Sequence, residues 1–200
     1  MTITTRYRRQ VLPLALFCIL TVAGCEELPG ETPPAAVADM TAAPGAGPSA
    51  AAPSGLSLAL GHPAWTGGAV PDGQQCTKFG GVFPRTPALM VRGLPLGTTQ
   101  VVVEFNDADY APLSSDGGHG KLAFEAGPGD ILLPAVPGET TRLPPGVKVV
   151  AGNRATGDFA KPGYLPPCSG GAGHRYFAVV KAVGPHGKTL AEGEITIGTY

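Results

Sequence analysis

The sequence predicts a mostly β sandwich with at most one or two short helices, and three observations carry that reading. Residues 55–200 hold short apolar runs rich in β-branched and aromatic residues, bounded by Gly and Pro. No ten-residue segment there keeps a helical apolar period free of Gly or Pro. The length of this part suits a single domain with one core.

In order along the chain, strands are predicted at residues 88–91 (ALMV), 101–105 (VVVEF), 121–124 (KLAF) and 131–133 (ILL). Others follow at residues 147–150 (VKVV), 176–183 (YFAVVKAV) and 194–197 (EITI). Such runs suit the packed layers of a β-sandwich.

The first 24 residues read differently. Arg6, Arg8 and Arg9 give a positive start, and residues 11–23 are uncharged. That stretch is well short of the roughly 20 apolar residues a transmembrane helix needs, and the layout is that of a secretory signal. It ends in VAGC, which resembles the lipobox of bacterial lipoproteins. The resemblance implies lipidation of Cys25, cleavage before it, and an exported protein anchored to the cell envelope. An ordinary signal with a chance Cys is the alternative. Glu26 follows where, in Gram-negative sorting, Asp favours the inner membrane; its absence points to the outer membrane, facing the periplasm.

Residues 25–54 form the next segment. After Cys25 it carries nine Ala, six Pro and three Gly, and neither cationic nor aromatic residues. Such a composition cannot bury enough apolar surface to offset its conformational entropy, so a disordered spacer is expected. Extended at about 3.1 Å per residue it reaches roughly 90 Å. Residues 55–200 are then the folded domain.

Charge excludes one class of partner. The leader removes three positive charges from a formal net of −1, leaving −4. Nothing basic remains to track a phosphate backbone, so nucleic acid is set aside. Cys18 leaves with the signal and Cys25 carries lipid, which leaves Cys76 and Cys168 in an oxidising compartment. A Cys76–Cys168 disulfide is expected, with two separate buried thiols as the alternative. The sequence has no G-x-S-x-G, H-E-x-x-H, P-loop or dinucleotide fingerprint. Four scattered His do not make a zinc site, and no cofactor is expected.

Several stretches in order resemble the phosphatidylethanolamine-binding protein family, especially its bacterial Raf-kinase-inhibitor-like branch. AVPDGQQCTKFGG (residues 69–81) stands where that family has IP…YTCDG. RTPALMVRGLPLGTTQVVVEFNDAD (85–109) is similar to S-P-x-L-x-W-x-G-x-P-x-G-T-x-S, a strand, and D-P-D-A-P. LPPGVKVVAGN (143–153), GYLPPCSGGAGHRYFAVVKAV (163–183) and LAEGEITIGTY (190–200) resemble L-P-x-G…G-x-N, G-Y-x-G-P-C-P-P…H-R-Y and A-x-G-x-L-x-G-x-Y. The chain departs in four places, one of them a longer connection over residues 119–143. Ala108 replaces the first Pro of D-P-D-A-P, and Pro112 stands late. His119-Gly120 replaces His-Trp, and Cys168-Ser169-Gly170 replaces C-P-P.

The resemblance implies a β-sandwich with a small pocket at one end for phosphate, acetate or a phospholipid head group. It implies ligand-binding roles for Asp107, Asp109, His119, Pro167, His174 and Tyr176, with Asp116 as an alternative to His119. These residue types suit the task. Imidazole N–H groups, backbone amides and a hydroxyl donate to an anion, and a carboxylate beside an imidazole fixes its tautomer. Each also has a plainer reading: a turn cap for Asp107 or Asp109, a satisfied strand-end residue for His174, core packing for Tyr176. Strand alternation turns Arg175 away from His174 and Tyr176, toward a structural ion pair. Trp65 is expected to pack in the core, and His62 and His186 to sit in exposed loops.

Three functions follow as expectations. The first is a membrane-tethered, non-catalytic domain capturing a small anion or phosphorylated head group. The second, since the family includes inhibitors of kinases and of a serine carboxypeptidase, is a protein partner, an extracytoplasmic hydrolase above all. The third is an enzyme using Asp, His and Tyr for acid–base chemistry.

Overall fold

The computed structural model describes residues 55–200. The expected signal peptide, the lipidated Cys25 and the spacer lie outside the described residues. The described chain is built from eight strands: β1 (Ser57–Leu60), β2 (Leu89–Leu94), β3 (Gln100–Asp107), β4 (Gly120–Glu125), β5 (Gly129–Leu133), β6 (Val147–Ala151), β7 (Arg175–Val183) and β8 (Thr189–Thr199). Its helical content is four three-residue 3-10 turns, Thr77–Phe79, Ala111–Leu113, Gly157–Phe159 and Pro185–Gly187.

The strands form two antiparallel sheets, a three-stranded one in the order β1-β2-β5 and a five-stranded one in the order β6-β4-β3-β7-β8. Side chains alternate between the faces. Val101, Val103 and Phe105 of β3, Leu122 and Phe124 of β4, and Ala178, Val180 and Ala182 of β7 point inward. They meet Leu89 and Val91 of β2 and Leu133 of β5 in one continuous core. Trp65 packs into the same core. Phe105 and Tyr164 stack at 4.5 Å between ring centroids in a tilted geometry.

The outward face of the larger sheet is polar at its centre. Glu104 on β3 is buried to 6% exposure, and its carboxylate accepts from Lys121 of β4 at 3.2 Å and Lys181 of β7 at 3.0 Å. Two cations around one carboxylate satisfy its charge across three strands.

Every predicted strand is present, most of them extended at the ends. β1 is additional. Its sequence SLAL lacks the β-branched and aromatic residues that marked the others; pairing with β2 from Ser57↔Arg92 to Leu60↔Leu89 makes it a strand. The cysteines are joined as a Cys76–Cys168 disulfide with Cα atoms 5.2 Å apart.

Register matters most at one end of the large sheet. β3 pairs with β7 so that Asp107 lies opposite Tyr176, and with β4 so that Phe105 lies opposite Gly120. Asp107 and Tyr176 therefore close the same inward-facing rows that build the core, and His119 stands one residue before Gly120.

Candidate functional site

Asp107 is the hub of this end. It is 3% exposed, and its two carboxylate oxygens have different tasks. Oδ1 accepts the Asp109 backbone N–H at 2.9 Å, closing a turn as β3 ends. Oδ2 lies 2.8 Å from His174 Nδ1, which donates to it. The turn-cap reading of Asp107 is thus realised, and the same side chain also pairs with His174.

His174 precedes β7 and is fixed by its backbone, which exchanges two hydrogen bonds with Tyr200 at 2.8 and 3.0 Å. With Nδ1 committed to Asp107, only Nε2 remains for another partner. Its side chain is 26% exposed, so this edge of the site reaches solvent. Tyr176, 3% exposed, puts its ring edge-on to His119 at 5.3 Å. The Tyr176 hydroxyl accepts the Cys168 backbone N–H at 3.1 Å. Burial pushes the phenol up to about 12.

His119 is the most constrained of the group. It is 2% exposed. Its backbone N–H donates to Phe105 at 2.9 Å and its carbonyl accepts from Leu165 at 2.8 Å. Nδ1 lies 2.8 Å from the Leu165 carbonyl. A carbonyl only accepts, so Nδ1 carries the proton, and in the neutral ring Nε2 is a bare lone pair. Nε2 is buried without a hydrogen-bond partner among the described residues, and it sits 4.0 Å from Asp107 Oδ2. Burial pushes the imidazole below its ordinary value of 6.5, against the opposing pull of the Leu165 carbonyl and Asp107.

The remaining expected residues are placed as follows. Asp109 is turned to Arg175, whose Nη2 and Nε donate to its two oxygens at 2.7 and 3.0 Å; the Arg175 backbone N–H adds a third bond at 2.7 Å. The guanidinium holds the Asp109 carboxyl down to about 2. The structure does not bring Asp109 to the histidines, and Arg175 faces outward as alternation requires. Pro167 is buried in the wall, its carbonyl accepting the Cys76 N–H at 2.9 Å. Asp116 is exposed and pairs with Lys121. His62 and His186 are exposed.

Three supports of the site escaped sequence reasoning. Asn106, 1% exposed, accepts from Gly117 and Gly118 N–H at 2.9 and 3.2 Å and so fixes the turn that delivers His119. Arg154 donates to the carbonyls of Pro112, Ser115 and Asp116 and straps the same loop. The Leu165 carbonyl sets the His119 tautomer. The adjacency of Asn106 and Asp107 at a strand end was the one available signal. Gly163 opens the wall at φ +72°, where a Cβ would meet the Thr140 carbonyl oxygen at 2.2 Å, so only glycine fits.

Chemically the arrangement is a buried carboxylate flanked by two imidazoles and a phenol. Among the described residues no group of three or more His, Cys, Asp or Glu is arranged to hold a metal ion. Two concavities lie elsewhere. One of about 90 Å³ is lined by Gln100, Glu125 and Lys148, and an open one of about 520 Å³ by His62, Trp65, Met90 and Arg92. Neither contains a converging set of titratable groups like that around Asp107.

No family model and no curated protein matches the chain. Among solved structures, the chain is similar to the crystal structure of CT736 from Chlamydia trachomatis, described as a phosphatidylethanolamine-binding protein homolog. The two share 19% identity at a TM-score of 0.46, over 73% of this chain and 97% of that one.

Proposed function

We propose that the chain is a membrane-tethered, non-catalytic binding domain that captures a small anion or a phosphorylated head group at the Asp107–His174 end of the sandwich. The observation that carries this reading is convergence. Asp107 from the end of β3, His119 just before β4, His174 just before β7 and Tyr176 within β7 meet around one buried carboxylate. The wall is held in place by the disulfide and by backbone hydrogen bonds, so little rearrangement is needed on binding. The lipobox and spacer supply the tether, which places the domain outside the cytoplasm, at the periplasmic face of the outer membrane in a Gram-negative host.

Thermal unfolding tests it, against phosphate, acetate, phosphoethanolamine and short-chain phosphatidylethanolamine, with His174→Ala alongside. A ligand at a hundred times its dissociation constant adds about 2.7 kcal/mol of stability. The expected result is a shift that disappears in His174→Ala. No shift with any of the four would overturn the proposal.

A second reading, inhibition of an extracytoplasmic hydrolase, is favoured by a separate observation. Phe83 is 89% exposed at φ +51°, beside Val82 at 65%. A bulky apolar side chain held outward in a left-handed conformation is uncommon. In that reading Phe83→Ser abolishes inhibition while the site at Asp107 stays intact.

A further inference from the structure

We infer that this site takes up one proton together with its anion, and that the proton lodges on His119 Nε2, facing Asp107 Oδ2. The inference rests on the proposed function and specifies the ligand as a weak anion bound with its acid equivalent.

The tautomers carry the reasoning. His119 Nδ1 donates to the Leu165 carbonyl and His174 Nδ1 donates to Asp107, so both rings, when neutral, present lone pairs at Nε2. The Asp107 carboxylate adds negative charge between them. Such a site is rich in acceptors and has no fixed cation of its own. The cation next in sequence, Arg175, is paired with Asp109 through both of its oxygens. An anion entering beside an ionised carboxylate needs a compensating positive charge.

His119 is built to supply it. Its buried Nε2 lacks a hydrogen-bond partner among the described residues and stands 4.0 Å from Asp107 Oδ2, within reach of an ion pair. Protonation there sets a positive charge beside the Asp107 carboxylate and neutralises it in one step. The proton comes from the ligand's own acid or from solvent, and no bond other than N–H forms. The groups facing the ring are Asp107 from β3, Tyr176 from β7 with His174 two residues before it, and the Leu165 and Pro166 carbonyls from the wall. Of these Asp107 is the one carboxylate and the two histidines are the only basic side chains.

Acetate is the clean probe, because a carboxylic acid of its strength is fully ionised between about pH 6 and about pH 8. Calorimetric titration of the full-length chain over that range is expected to give an affinity that falls about tenfold per pH unit, the slope of one linked proton. Buffers of different ionisation enthalpy should report uptake of about one proton. In His119→Gln, which cannot titrate, the slope should vanish. In the wild type, nitrogen NMR should show His119 Nε2 pass from unprotonated to protonated on saturation with acetate, a reading that does not depend on how the variant folds. Binding with a flat pH profile would overturn this inference and leave the proposed function standing. A slope that survives in His119→Gln, or an Nε2 that stays unprotonated, would put the proton on another group and so overturn the inference. No binding of acetate or inorganic phosphate at any pH would remove the proposed function and the inference with it.

Discussion

Breaking the Cys76–Cys168 bond should destabilise the domain by an amount that chain length alone suggests. The two cysteines are separated by 92 positions in sequence. Cross-linking a loop of that length removes about 4.6 kcal/mol of conformational freedom from the unfolded chain at 25 °C in the chain-entropy view, and native disulfides typically contribute roughly 2–5 kcal/mol. For a domain of this size each kcal/mol moves the midpoint by about 2–4 °C. The Cys76→Ala/Cys168→Ala variant should therefore unfold roughly 4–20 °C below the oxidised protein. The bond also sits where it matters: Cys76 donates to the Pro167 carbonyl and Cys168 donates to the Tyr176 hydroxyl, so it clamps the wall of the site. The assay is thermal unfolding of wild type and variant, each with and without reductant. Reductant should lower the wild type toward the variant and leave the variant unchanged. A variant within about 2 °C of the oxidised wild type would refute the reasoning, because the unfolded chain would then gain no freedom from the cut.

Other outcomes follow from single contacts. Tyr176→Phe leaves the Cys168 N–H without its acceptor and should cost about 1–3 kcal/mol in denaturant unfolding; no loss would mean that the amide finds another partner. Phe105→Ala empties a fully packed position against Tyr164 and should cost roughly 3–5 kcal/mol in the same assay. Gly163→Ala forces a side chain into a left-handed backbone and onto the Thr140 carbonyl, so a loss above about 2 kcal/mol is expected. His119 is held neutral by burial, so the unfolded chain binds more protons below the ordinary imidazole range; stability present above pH 6.5 is lost as pH falls toward the depressed folded value. Urea unfolding across that window should show the loss in the wild type and less of it in His119→Gln.

How far these features were legible in the sequence depends on what kind of contact makes them. The central strands declared themselves through Val101–Val103 and the Tyr176–Val183 run, dense in β-branched and aromatic residues. β1 did not, because Leu and Ala carry little strand preference and its register with β2 is what extends it. β8 runs from Thr189 to Thr199, and Gly193 hid its first half. At the site, alternation was enough to send Arg175 outward and Tyr176 inward. The division of labour between the two aspartates was not readable. It is decided by Arg175 reaching across to Asp109 while Asp107 turns to His174. The choice between His119 and Asp116 was equally open, since it depends on Asn106 gripping two glycine amides eleven and twelve residues away. Backbone partners such as the Leu165 carbonyl leave no trace in residue identity at all.

The most direct test of where this protein binds is an amide NMR map of the described domain within the intact chain, titrated with phosphoethanolamine. The account predicts saturable shifts centred on Asp107, His119, His174 and Tyr176, with the amides of Leu165 and Cys168 moving alongside. Shifts confined instead to the open concavity around His62, Trp65 and Arg92 would contradict it and move the binding site to the outer face of the smaller sheet.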